Sequence, residues 1–225
     1  MIDASPGTPT LFRQATILLQ HAGIMPVVTV ESAAQGAAIA AALAEGGLGA
    51  IEITLRSPAA LDAIAAAKRD VPGMLVGAGT ILNARHALDA LAAGADFIVT
   101  PGTTPALGET LAGLSIPCIP GAATISEMLA LATLGFESLK LFPAVPVGGL
   151  ALLKSIAGPL PDLRFCPTGG IDEASAPAFL ALPNVVCVGG SWMVPKEWIS
   201  AGRYDAVTES AARARALVDA RPARA

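Results

Sequence analysis

Short apolar runs recur along the chain at nearly even intervals. Each is closed on its C-terminal side by Gly, Pro or Thr and followed by an Ala-rich stretch with helical spacing. The runs predict strands beginning near Met25 (MPVVTV), Ala50 (AIEITL), Leu75 (LVGAGT), Phe97 (FIVTP), Cys118 (CIPG), Leu139 (LKLFPA), Arg164 (RFCPTGG) and Val185 (VVCVGGS). Successive starts lie 25, 25, 22, 21, 21, 25 and 21 residues apart, which leaves no gap for a second domain.

Helix starts between the runs can be read from their caps: Ser32, Ser57-Pro58, Asn83, Thr104-Pro105, Thr124 with Glu127 three residues later, and Glu173 with Ala174. Side-chain oxygens at such positions accept the orphan N–H groups of a first turn, and Pro suits the first turn because it lacks that N–H. A further helix is expected from Leu11 to Ala22, closing the floor of the fold behind a loosely ordered segment of residues 1 to 10. Strand and helix alternating at this period require a parallel sheet. Eight such units close most naturally into an α/β fold of the (β/α)8 TIM-barrel type, a single domain over residues 1–225. A doubly wound sheet is the alternative. It needs a reversal of strand order and usually a glycine-rich first βα turn, which VTVESAAQG does not supply.

Charged residues make up only 14% of the chain, too few for a disordered or coiled-coil protein, and aromatics at 4% leave small aliphatics to build the core. With 14 Lys+Arg against 18 Asp+Glu and no basic cluster, nucleic acid is a poor partner. The positive mean hydropathy raises the question of a membrane span. The longest uncharged stretch, from Ala174 to Pro195, is interrupted by Pro177, Pro183, Asn184, Gly189 and Gly190 and cannot keep one helical ladder. The N-terminus lacks a basic-then-apolar pattern, so a cytoplasmic protein is expected. Cys118, Cys166 and Cys187 are odd in number and each lies in an apolar run, which reads as reduced core residues.

Active sites of this fold gather at the C-terminal ends of the strands, with phosphate groups after strands seven and eight. In the second strand, alternation sends Ile51, Ile53 and Leu55 toward the helices and Glu52, Thr54 and Arg56 into the barrel. Charge there is expensive, so the two ionisable residues form either a structural Glu52/Arg56 ion pair or part of a site. The sixth strand places Lys140 beside Phe142 on the corresponding face. Burial of an amine favours its neutral form, the nucleophile needed for a Schiff base with a ketone; a strand-end lysine reaching out to water is the other reading. Lys68, Lys154 and Lys196 fall on helices or a loop and read as ordinary solvated lysines. Thr168, Gly169 and Gly170 close the seventh strand and Gly189, Gly190 and Ser191 the eighth. Two glycine pairs at these two strands suit a phosphate cradled by backbone N–H groups, although one pair alone would be turn chemistry. Thr80 and Thr100 end the third and fourth strands; Thr80, behind Gly77-Ala78-Gly79, has the more room for a small acid. The two histidines, His21 and His86, fall in helical segments, so a histidine-ligated metal lacks its parts.

These residues resemble the class I 2-keto-3-deoxy-6-phosphogluconate (KDPG) aldolases, also described as 4-hydroxy-2-oxoglutarate (KHG) aldolases. The similarity covers most of the chain: Glu52 to Arg56 resembles an E-x-T-L-R strand, Gly77 to Thr80 a G-A-G-T, and Lys140 to Ala144 a K-x-F-P-A strand. Arg164 to Gly170 (RFCPTGG) and Gly189 to Trp192 (GGSW) are the most specific segments. Many relatives carry glutamate after F-P-A, where this chain has Val145. The resemblance implies Lys140 as the Schiff-base lysine and Glu52 as the acid/base. It also implies Arg56 and Thr80 as binders of the pyruvate-side carboxylate, and Thr168, Gly169, Gly170, Gly190 and Ser191 as the phosphate site. No diffusible cofactor and a homotrimer are implied as well. A phosphosugar isomerase or synthase on a similar barrel would use Glu52 as a base and leave Lys140 electrostatic. A non-catalytic phosphometabolite-binding barrel would need no buried lysine.

Overall fold

The computed structural model describes residues 10–221. Its strands are β1 (Ile24–Val28), β2 (Ala50–Thr54), β3 (Leu75–Gly79), β4 (Phe97–Val99), β5 (Cys118–Ile119), β6 (Gly121–Ala122), β7 (Ser138–Leu141), β8 (Arg164–Pro167) and β9 (Val188–Gly190). The helices are α1 (Leu11–Ala22), α2 (Ala33–Glu45), α3 (Ala60–Asp70), α4 (Ala84–Ala92), α5 (Pro105–Ala112), α6 (Ile125–Thr133), α7 (Gly149–Ile156), α8 (Ala176–Leu180), α9 (Lys196–Ser200) and α10 (Tyr204–Asp219).

All strand pairs are parallel, in the order β5-β4-β3-β2-β1-β9 and β6-β7-β8. β5 and β6 are the two halves of the fifth barrel strand, parted at Pro120. Proline has no N–H to give a ladder, yet its carbonyl still accepts from the Lys140 N–H at 2.9 Å, so the strand passes from β4 to β7 without losing its place. Bridges Phe165↔Val185 and Thr168↔Gly189 join β8 to β9 and close the ring. The expected (β/α)8 barrel is the fold that forms.

Alternation along the strands sorts the core. Ile51 and Ile53 pack outward with Ile39, Leu43 and Ile64 of the helices, while Ala50, Met25, Phe97 and Cys166 point inward. Ala15, Leu18, Leu19 and Ala22 of α1 pack on that inner group, so α1 covers the barrel floor as its position implied. Thr10 caps α1 by accepting from the Arg13 N–H at 3.3 Å, which makes it part of the ordered helix start; residues 1–9 of the segment expected to be loose lie outside the described residues.

Ser32, Asn83, Thr104 and Thr124 cap their helices as expected. Two starts differ. α3 begins at Ala60 after an Ala59 cap, because Ser57 and Pro58 occupy the preceding turn and the Ser57 carbonyl accepts from the Ala60 N–H. α8 begins at Ala176, because Asp172 and Ser175 spend their hydrogen bonds on each other in a local turn ahead of it.

The capping box of α6 carries a pH-dependent term. The Glu127 carboxylate accepts from the Ala123 and Thr124 N–H groups, which holds it below the usual carboxylate range. A depressed pKa adds stability above the unfolded value, and that stability is lost as pH falls through the folded value. Glu127→Gln keeps the box but removes the charge. The melting temperature of wild type is therefore expected to exceed that of the variant slightly at about pH 7, and the gap to be narrower at about pH 3. An unchanged gap in thermal melts at the two pH values would refute the assignment.

Candidate active site

A cavity of about 600 Å³ opens at the C-terminal ends of the strands. On β2 the inward column runs Ala50, Glu52, Thr54 and then Arg56 beyond the strand, and the cavity is lined by Thr54 and Arg56. Glu52 thus sits one inward step, about 7 Å, deeper. On β7 the same relation holds between Phe142, at the cavity, and Lys140 below it.

At that depth the two charged side chains meet across the barrel. Lys140 Nζ donates to Glu52 Oε1 at 2.9 Å and to Oε2 at 3.1 Å, and the residues are only 5% and 2% exposed. The ammonium also lies 5.4 Å from the centroid of the Phe142 ring, a favourable cation–π distance. Room for the carboxylate comes from Gly79: a Cβ there would stand 2.1 Å from Glu52 Oε1. A buried pair costs desolvation and is weak evidence for stability, so its presence calls for a chemical reason.

The Glu52/Arg56 ion pair that alternation left open does not form. Both Glu52 oxygens are held by Lys140, and Arg56 stands exposed on the cavity wall. Lys140 does not reach out to water, so the buried reading of its strand holds. Thr168, Gly169, Gly170, Gly190 and Ser191 line the same cavity. Gly169 and Gly170 have φ of 103° and 81°, a left-handed backbone that turns the chain here and that side chains resist. Val145 backs this turn with its N–H, which donates to the Gly169 carbonyl at 3.0 Å, a contact any residue but proline could make.

The two candidate threonines part company. Thr100 is fully buried, and its hydroxyl accepts from the Gly121 N–H at 2.8 Å and contacts Thr103, so it ties β4 to β6. Thr80 is not among the residues lining the cavity, but it has φ of 57° directly after the glycine that clears Glu52. A β-branched residue held there is strained, and such strain concentrates at functional positions.

Other sequence expectations fall into place around the cavity. Cys118, Cys166 and Cys187 are free and buried; burial alone pushes the Cys118 thiol up to about 12, and burial chiefly raises the Cys187 thiol as well, so these two are poor nucleophiles. His21 and His86 sit on α1 and α4. Sequence reasoning missed Lys196, which lines the cavity rim 3.9 Å from Glu31 while remaining solvated, and Thr29, whose hydroxyl lies 2.8 Å from that of Thr54. Thr29 is the polar residue of the first apolar run and shares the inward parity of Met25 and Val27, a signal that could have marked it.

Residues 16–210 match the family model for KDPG and KHG aldolase. The chain is 42% identical over 200 residues to the KHG/KDPG aldolase of Escherichia coli (strain K12), covering 89% of this chain and 94% of the relative. It is 45% identical over 183 residues to the 2-dehydro-3-deoxy-phosphogluconate aldolase of Zymomonas mobilis subsp. mobilis, covering 81% and 88%. The fold superposes on a KDPG aldolase from Legionella pneumophila with a TM-score of 0.86 at 38% identity, covering 88% of this chain and 97% of that one. That protein was crystallised with pyruvate captured as a covalent carbinolamine. The chain therefore belongs to the KDPG and KHG aldolase family.

Proposed function

We propose that this protein is a class I aldolase, a carbon–carbon lyase that cleaves KDPG to pyruvate and glyceraldehyde 3-phosphate, and KHG to pyruvate and glyoxylate. The observation that carries the reading is the buried contact between Lys140 and Glu52. Moving one proton along that 2.9 Å hydrogen bond leaves a neutral amine and a neutral acid, with no change in the net charge of the barrel interior. The carbinolamine trapped in the Legionella relative supports the same chemistry.

The Lys140 amine attacks the C2 ketone, and Glu52 moves the protons that let the carbinolamine lose water to an iminium. Glu52 then takes the C4 hydroxyl proton. The C3–C4 electron pair flows to the iminium nitrogen, the aldehyde departs, and the proton returns to C3 of the enamine. Water hydrolyses the new iminium to pyruvate and the free amine. Arg56 and Thr80 hold the substrate carboxylate, Arg56 in a bidentate contact that aims the ketone at the amine. Thr168, Gly169, Gly170, Gly190 and Ser191 take the phosphate.

The electron sink is the protein's own iminium, so we propose no diffusible cofactor and no metal. We further propose a cytoplasmic homotrimer. Buried free thiols suit a reducing compartment, and the exposed Leu82, Leu88, Ile125 and Leu129, on and beside α4 and α6, suit contact with other copies of the chain. Among the described residues no helix is long and apolar enough to cross a membrane.

The test is a product assay with KDPG and KHG side by side, coupled to pyruvate detection, on wild type and Ser191→Asp. Wild type should release pyruvate from both. The variant, which sets a like charge beside the phosphate, should raise KM for KDPG about tenfold or more and change KHG turnover less. Equal losses would move the phosphate site elsewhere, and no pyruvate from either substrate would sink the aldolase reading.

A further inference from the structure

In the barrel order β1 lies between β2 and β9. β2 carries Glu52 and leads to Arg56, the pyruvate end of the site in the reading above, on which this inference rests; β9 leads to Ser191, the phosphate end. A substrate chain joining the two ends passes the end of β1, where Thr29 lines the cavity.

The direction of the hydrogen bonds at Thr29 follows from counting protons. Thr54 Oγ1 lies 2.9 Å from the carbonyl oxygen of Val28, which has no proton to give, so the single Thr54 hydroxyl proton points there. Thr29 Oγ1 lies 2.8 Å from Thr54 Oγ1, and with the Thr54 proton committed Thr29 must be the donor. The Thr29 proton is therefore spent inside the wall, and its oxygen has only lone pairs left for the cavity. Such an oxygen welcomes a hydroxyl. Facing a carboxylate, it meets lone pairs with lone pairs unless the bond to Thr54 is given up.

Both substrates carry a C4 hydroxyl, and its proton goes to Glu52. At C5 they differ: KDPG has a hydroxyl, whereas KHG has a carboxylate carbon. We infer that Thr29 is a specificity-determining residue that accepts a hydrogen bond from the C5 hydroxyl, favouring substrates with a hydroxy-aldehyde leaving half over those that release an oxo acid.

The experiment compares kcat/KM for KDPG and KHG in wild type, Thr29→Val and Thr29→Ser, with pyruvate-dependent borohydride labelling of each. Thr29→Val should lower the KDPG-to-KHG ratio about three- to tenfold, the scale of one neutral hydrogen bond, and Thr29→Ser should restore it. Labelling by pyruvate, which lacks the leaving half, should be unchanged in all three. An unmoved ratio, equal losses on both substrates, or a serine variant that behaves like valine would overturn the inference while leaving the aldolase reading intact. A wild type that neither labels nor releases pyruvate would overturn both.

Discussion

Incubation with pyruvate and borohydride is expected to inactivate the enzyme and to add a pyruvate-derived mass to the peptide containing Leu139-Lys140-Leu141. Reduction converts an iminium to a stable secondary amine, and neither an isomerase nor a passive binding barrel forms one. Lys140→Ala should lose the label and lower turnover by on the order of 10⁴-fold or more, the scale on which loss of a covalent nucleophile acts. That variant also leaves the Glu52 carboxylate buried without its partner, at a cost of about 3–5 kcal/mol. Lys140→Arg keeps a cation beside Glu52 without a nucleophilic amine, so it separates folding from chemistry: its melting temperature should stay nearer wild type while labelling and turnover vanish. Label on Lys154 or Lys196, or activity in either variant, would overturn the mechanism.

Replacement of Glu52 by glutamine has the second-largest expected effect and a different signature. The amide is nearly the shape of the carboxylate, so Gly79 still accommodates it, but it cannot accept and return a proton. Turnover should fall by about 10²–10⁴-fold, while slow borohydride labelling by pyruvate persists because the Lys140 amine remains. Glu52→Gln also sets a buried ammonium against a neutral partner, so a lower melting temperature should accompany the kinetic loss. Turnover close to wild type would remove Glu52 from the proton path. Complete loss of labelling with the fold intact would show that Glu52 is needed to free the amine as well as to shuttle protons.

The eightfold repeat was legible because a parallel barrel writes itself in local terms. Each unit needs an apolar run, a turn residue, a cap and a helical stripe, and Ser32, Asn83, Thr104 and the Thr124–Glu127 pair supply caps that act within their own first turn. The same locality exposed Glu52, Arg56 and Lys140, since a charge in an apolar run at inward parity stands out whatever surrounds it. Ser57 misled because a serine before proline serves a turn as well as a cap, and the choice rests on where the Ala60 N–H finds its carbonyl.

The chain by itself thus determined the barrel, its floor helix and the inward faces that carry the chemistry, because each depends on neighbours a few residues apart. Pairing was another matter. Lys140 and Glu52 are 88 residues apart, and alternation offered Arg56, in the same sequence run, as the nearer partner; closure of the ring set the lysine across the barrel from the glutamate. Thr29 and Thr54 are 25 residues apart, and which hydroxyl donates depends on a carbonyl brought in by the parallel ladder of β1 and β2. Local periodicity tells which way a side chain points. Only the closed barrel settles what it meets there, because distance across the ring and the direction of a shared proton are properties of several strands at once.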